Sequence, residues 1–392
     1  MKFLNGPADD LRLRWERLQA AMRTEGAEAC LVSTSVNLYY LTGRIYGGYF
    51  YLPAAGRPRF FIKRPQGLEE EGLTYIRKPE EINGLLAAEG LPLPKKLLLE
   101  ADEISYTDYC RLSAAFPSCE SGNASTLLRR LRMCKTPWEI EQFRISARQH
   151  AKTYAEVPAC FRPGMSDLQF QAEIERRMRL NGSLGTFRAY GPMDIFMGSV
   201  LTGGNAEAPS PFDFALGGAG ADLSLPIGAN GTPLREGCSV MVDMAGNYTA
   251  YMTDMTRTFS VGKLPEAAYR AHELARRIER EIAQMLRPGL STVEPYRLAL
   301  RLAEEGGLAA NFMGTRQQAK FVGHGIGLQI NEPPVLAARP ESLLEAGMLI
   351  AVEPKFVLPG IGAVGIEDSF LLTSDGAEQI TFSEPSIVDL TK

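Results

Sequence analysis

Apolar residues at helical spacing give way to short apolar runs through the first third of the chain. Leu11, Leu13, Trp15, Leu18 and Met22 predict a helix over about residues 9–26, ended by Gly26. Strand-like runs follow near 29–32, 49–52, 59–62 and 96–99, with a further helix around 107–115. This alternation predicts an α/β domain ending near residue 125. Thr136-Pro137-Trp138-Glu139 then reads as a capping box opening a helix through Ile140, Phe143, Ala147 and Tyr154, which Arg162-Pro163-Gly164 stops. Ser166 starts a second helix closed by Asn181-Gly182, and two more are predicted over about 265–286 and 293–305. A Gly/Pro-rich segment, 202–237, precedes a β-hairpin, and further strands follow the last helix. Runs of helices set against runs of strands predict an α+β second domain.

The hairpin, Val240 to Ser260, has two strand-like arms around Gly246-Asn247 and one aspartate in each arm, Asp243 and Asp254. They face each other if the register is centred between Tyr248 and Thr249, and a two-residue slip leaves them diagonal on the same face. An unpaired carboxylate in a buried strand costs several kcal/mol, and two close together repel unless a cation lies between them. The arms therefore read either as a solvent-facing amphipathic pair or as part of a metal site, and the repulsion favours the second.

Composition narrows the partners. The chain has 392 residues, 45% hydrophobic and 22% charged, with a formal net charge of −4 and a pI near 5.7. An acidic chain has no electrostatic pull toward nucleic acid or an anionic membrane, and no apolar run reaches the ~20 residues of a bilayer span. The N-terminus turns charged at once, against a signal peptide. Six scattered cysteines without a C-x-x-C pair fit reduced thiols, so a cytoplasmic location is expected. Of only three histidines, His150 and His272 fall in predicted helices and read as surface or interhelical groups.

The third, His324, lies in Gly323-His324-Gly325-Ile326-Gly327, where glycine permits close backbone approach and imidazole suits a transition ion. Glu353 ends the apolar strand Met348 to Val352, and Glu367 follows fourteen residues later in Gly365-Ile366-Glu367-Asp368-Ser369. Four carboxylates and one imidazole suit two divalent ions bridged by carboxylates and a water.

Asp243, Asp254, His324, Glu353 and Glu367, in that order, resemble the five ligands of the "pita-bread" metallopeptidase family, which includes methionine aminopeptidase, aminopeptidase P, prolidase and the non-peptidase creatinase. The matching words are V-D-M-A-G, T-D-M-T-R-T-F, G-H-G-I-G-L, V-E-P and I-E-D-S, and the aspartates have the family's eleven-residue spacing. Asn37 to Gly43 (N-L-Y-Y-L-T-G) is similar to the creatinase/prolidase N-terminal domain. The resemblance implies an α/β creatinase/prolidase-like domain over 1–130 and an α+β pita-bread catalytic domain over 131–392. It also implies two divalent ions (manganese, cobalt, zinc or iron), a homodimer, and a short peptide or small amide as substrate. In the family's mechanism Glu353 is ligand and general base toward a metal-bridging hydroxide. Thr256 and Arg257 are expected to orient the hairpin, and Asp368 to support a ligand or to lie at the surface.

Two positions depart from the family. Ser210 and Asn331 stand where it has histidines that contact the substrate carbonyl and the developing oxyanion. Losing such a donor costs ~2.7–4 kcal/mol of transition-state stabilisation. Both side chains can donate a hydrogen bond but neither can become a cation near neutral pH. Three functions are compatible: an Xaa-Pro dipeptidase or aminopeptidase, a creatinase-like C–N hydrolase that is not a peptidase, and a non-catalytic metal-binding homologue.

Overall fold

The computed structural model describes residues 3–190 and 197–392, and the chain divides into two compact units, Met1–Arg132 and Met133–Lys392. In the first, α1 (Ala8–Thr24), β1 (Ala29–Val32), α2 (Ser35–Thr42), β2 (Gly47–Pro53), β3 (Arg59–Arg64), β4 (Leu73–Tyr75), α3 (Glu81–Ala88), β5 (Lys96–Leu99), α4 (Tyr106–Ala115), β6 (Glu120–Asn123) and α5 (Ser125–Met133) follow in order. The strands form one mixed sheet, β4-β3-β2-β1-β5-β6. Leu31, Tyr51, Phe61, Leu97 and Leu99 of that sheet are buried with Leu86 of α3 and Leu112 of α4. The Asn37–Thr42 segment is helical, stopped by Gly43 in the left-handed conformation at φ 68°. Its Asn37 amide donates to Glu100 Oε1 at 2.7 Å, and the Arg132 guanidinium donates to Asn37 Oδ1. Buried Glu100 also accepts from the Ser33 and Thr34 amides at 2.6 and 2.9 Å, so these polar groups are used in packing.

The second unit opens with α6 (Pro137–Glu156), whose capping box joins Thr136 and Glu139 in both directions, and α7 (Asp167–Leu180), capped the same way by Ser166 and Gln169. Then come β7 (Gly198–Thr202), β8 (Ser239–Gly246), β9 (Thr253–Ser260), α8 (Glu266–Met285), α9 (Val293–Glu305), β10 (Phe321–Gly325), β11 (Glu332–Ala337), β12 (Leu349–Val352), β13 (Lys355–Leu358), β14 (Gly362–Gly365), β15 (Asp368–Leu372), β16 (Ala377–Gln379) and β17 (Val388–Asp389). One sheet is β17-β9-β8-β7, a second is β11-β10-β12-β15-β16, and β13 and β14 form a separate hairpin. Along α8 the buried residues Ala268, Ala271, Ala275, Ile278 and Ile282 recur at spacings of three and four. They join a core with Tyr296 and Leu302 of α9, Ile350 and Val352 of β12 and Phe356 of β13. The helices thereby back the strands that carry the chemistry. No helix among the described residues is long and apolar enough to cross a membrane.

Candidate metal centre

β8 and β9 pair with Asp243 opposite Thr256 and Ala245 opposite Asp254, so the aspartates are diagonal, two residues away from direct opposition. The chain does not turn tightly at Gly246-Asn247. Instead the link from 247 to 252 docks on α6, where Ser146 Oγ donates to Gly246 O at 2.9 Å and Thr249 Oγ1 donates to Gln142 O at 3.2 Å. Both aspartates still point to one face, as strand alternation requires.

The second sheet supplies the other three groups. His324 lies on β10 between β11 and β12. A Cβ at Gly323 would fall on the Ala351 carbonyl oxygen of β12, and one at Gly325 on the Pro333 carbonyl oxygen of β11. The glycines flanking His324 thus serve strand-to-strand approach. His324 Nδ1 lies 3.0 Å from Gly325 O, which can only accept, so the ring proton belongs there and Nε2 presents its lone pair. That Nε2 faces Glu353 Oε1 at 3.4 Å and Asp254 Oδ2 at 3.8 Å. Glu353 follows β12 directly. Glu367 precedes β15 and exchanges backbone hydrogen bonds with Thr256 at 3.1 and 3.3 Å, which ties the two sheets together.

Two triads emerge among the described residues: Asp254, His324 and Glu367, and Asp243, Glu353 and Glu367, the ligand atoms of each within 4.8 Å of one another. Burial raises the Asp254, Glu353 and Glu367 carboxyls above their ordinary range, Glu367 to about 8, and neighbouring carboxylates push the same way. The first triad fits a divalent transition ion: it offers two hard oxygens and an imidazole, and buried Glu367 Oε1 accepts no hydrogen bond among the described residues.

The second triad already meets a cation. Lys355 Nζ lies 2.8 Å from Asp243 Oδ2, 2.6 Å from Glu353 Oε2 and 3.3 Å from Glu367 Oε2. Burial alone would lower its pKa, but Asp243, Glu353 and Glu367 more than reverse this and hold it well above the usual lysine value. The expectation of two ions therefore does not fit this half of the site as built. Lys355 stands two residues after Glu353, at the start of the next strand, and that proximity was the available signal for it. The carboxylates around it come from other strands and leave no local trace.

Thr256 Oγ1 donates to Glu367 Oε2 at 2.7 Å. Arg257, 2% exposed, donates through Nη1 to the carbonyls of Thr256 and Glu367 at 2.8 and 2.9 Å and through Nη2 to both Asp368 oxygens at 2.9 and 3.0 Å. Asp368 is thus a buried partner of Arg257 and not a surface group. His150 and His272 are buried as well, at 3.0 Å from Thr253 Oγ1 and 2.8 Å from Pro385 O, and burial pushes their pKa values down to about 3 and about 4.

Ser210 and Asn331 are held by their own surroundings. Ser210 Oγ accepts from the Phe212 amide at 3.2 Å, and Ser210 lines a pocket with Phe212, Phe214, Gly217 and Gln317 to which none of the five metal-site residues contributes. Asn331 Oδ1 accepts from the Tyr190 amide at 2.7 Å while its Nδ2 donates to Tyr190 O at 3.2 Å. Only one amide N–H of Asn331 is left for any other partner.

Comparison with known proteins agrees with this architecture. Residues 141–374 match the model for "Metallopeptidase family M24" and residues 14–134 the model for "Creatinase/Prolidase N-terminal domain". An uncharacterized peptidase of Staphylococcus aureus is 26% identical over 381 residues, covering 93% of this chain and 97% of its own length. The Xaa-Pro dipeptidase of Pyrococcus furiosus is 25% identical over 385 residues, covering 96% and 100%. The solved Xaa-Pro dipeptidase of Bacillus anthracis superposes with a TM-score of 0.80 at 25% identity, covering 96% of this chain and 99% of that one. With the α/β unit leading into a pita-bread α+β unit, and the match spanning most of the sequence, the chain belongs to the metallopeptidase family M24.

Proposed function

We propose that this chain is a metal-dependent hydrolase of the Xaa-Pro dipeptidase or aminopeptidase type, cleaving a C–N bond in short peptides. The observation that carries the proposal is the convergence of Asp254, His324 and Glu367, from two separate sheets, on one point where buried Glu367 Oε1 has no hydrogen-bond partner among the described residues. The relatives named as Xaa-Pro dipeptidases, matched over nearly the whole chain, point to the substrate class. A divalent ion held by Asp254, His324 and Glu367 would polarise the scissile carbonyl and acidify an attacking water. Glu353 is the proposed proton acceptor. Its Oε2 is fixed by Lys355 at 2.6 Å, which opposes the upward push of burial on this carboxyl, and its Oε1 on the His324 side is left to take a proton. Thr256 and Arg257 hold Glu367 in place from its side chain and its backbone. A cytoplasmic homodimer completes the reading, and light scattering tests the dimer.

The test is release of free proline from Xaa-Pro dipeptides by chain loaded with Mn(II) or Co(II), with metal content measured on the same sample. Glu353→Gln should lower kcat by about 10²–10⁴. If no Xaa-Pro substrate is cut while metal is bound, the peptidase reading fails. A C–N hydrolase acting on a small non-peptide amide is the second reading. It is favoured by Asn331, whose carboxamide closes on Tyr190, and by Ser210, turned toward its own loop.

A further inference from the structure

Lys355 occupies the place where a second ion would go. Its ammonium has three N–H donors, and Asp243, Glu353 and Glu367 take them at 2.8, 2.6 and 3.3 Å. Those three residues are also one of the two triads with metal-ligating geometry. We infer that Lys355 is a built-in counter-cation at the second metal position, so that the centre takes one divalent ion per chain, at Asp254, His324 and Glu367. The inference rests on the metal-centre reading above and removes Asp243 and Glu353 from the ligands, making Asp243 the lysine's structural anion.

The surroundings of the lysine support a fixed placement. Lys355 is 0% exposed and begins β13, directly opposite Gly365 of β14. A Cβ at Gly365 would stand 2.8 Å from Lys355 Cγ and 2.9 Å from Lys355 Cα, so the absence of a side chain there makes room for the lysine stem. Gly365 is itself pinned, its amide donating to Thr258 Oγ1 at 3.0 Å and its carbonyl accepting from the same hydroxyl at 2.8 Å. An ion bound by the same three carboxylates would face the ammonium across a dry pocket as a like charge, so the two exclude each other. The charge balance tolerates the exchange: one lysine and one divalent ion bring three positive charges to four carboxylates.

Metal counting on the full chain tests this independently of activity. Chain stripped by chelator and dialysed against Mn(II) should hold one ion by elemental analysis and give the EPR spectrum of an isolated Mn(II). Asp243→Asn should still hold one ion, whereas Asp254→Asn should lose it. Lys355→Met should gain a second ion and show the exchange coupling of two ions roughly 3.5–4 Å apart. Two ions with a coupled spectrum in the wild type, no ion in the wild type, or loss of an ion in Asp243→Asn would each overturn the inference. Should Lys355→Met fold poorly, the wild-type count and Asp243→Asn still decide. Failure to cleave Xaa-Pro peptides with one ion bound would defeat the proposed function alone, and cleavage with two ions bound would defeat this inference alone.

Discussion

Replacing Arg257 by methionine probes how the ligand cluster is held. The wild-type guanidinium is buried, bidentate to Asp368, and bonded to the carbonyls of Thr256 and Glu367. Methionine keeps much of the volume and leaves Asp368 with neutral side-chain partners, Thr381 Oγ1 at 2.7 Å and Gln379. Breaking a buried pair from one side costs about 3–5 kcal/mol, because the survivor stays charged and dry. For a unit of this size each kcal/mol lowers the melting midpoint by about 2 °C, so a loss of about 6–10 °C is expected by calorimetry. Arg257→Met combined with Asp368→Leu should recover most of this, because the Thr256 and Glu367 carbonyls keep their backbone hydrogen bonds to each other's amides. Acid should also relieve the single variant. Burial already raises Asp368 above its ordinary value, and without Arg257 it rises further, so the penalty fades as pH falls through that folded-state pKa. Because Arg257 holds the backbone of Glu367, Mn(II) affinity should fall by about 10–100-fold even where the variant is fully folded. A loss below ~1 kcal/mol, or a double variant no better than the single one, would refute the account of Arg257 as the anchor of Asp368 and Glu367.

Thr256→Val removes the 2.7 Å donor to Glu367 and should cost about 1.5–3 kcal/mol together with weakened Mn(II) binding, read by denaturant titration and calorimetric titration. Metal-stripped protein should lose stability with rising pH. The Glu367 carboxyl is raised from 4.5 to about 8, so its contribution is full below 4.5 and is lost between about 4.5 and 8, and saturating metal should flatten that slope. Melting curves across that range that stay level without metal would contradict the burial of these carboxylates. Gly323→Ala places a Cβ on the Ala351 carbonyl and should destabilise the second unit by about 1–3 kcal/mol, measured by thermal melting.

Local signals carried much of the fold. The Thr136/Glu139 capping box starts α6, and the apolar spacing from Val293 to Glu305 reproduces α9. These features depend on neighbours within one or two helical turns, so they can be read from residue order alone. The register of the β8–β9 hairpin is different in kind. A tight turn at Gly246-Asn247 is reasonable chemistry, but Ser146 and Gln142 of α6 hold the loop, and the observed pairing lies two residues from the register centred between Tyr248 and Thr249. Alternation with period two preserved the shared face of the aspartates through that shift, which is why the candidate ligands were legible although their pairing was not.

The charge inside the cluster was not legible, and the reason is topological. Each carboxylate carries a local sign of function, standing at the end of an apolar strand or in its arm. Lys355 stands in such a strand too, where a lysine ordinarily marks an edge or a solvated face. What reverses that meaning is the arrival of Asp243 from the other sheet and of Glu367 from beyond the β13–β14 hairpin. A buried lysine with three carboxylate partners is stabilised where a lone one would give up its proton. The same residue type at the same spacing would thus be a surface lysine in one fold and an internal cation in another. Counting ligand-type residues sums negative charge correctly but cannot show how much of it the chain neutralises itself. Here Lys355 answers part of that negative charge from within the chain.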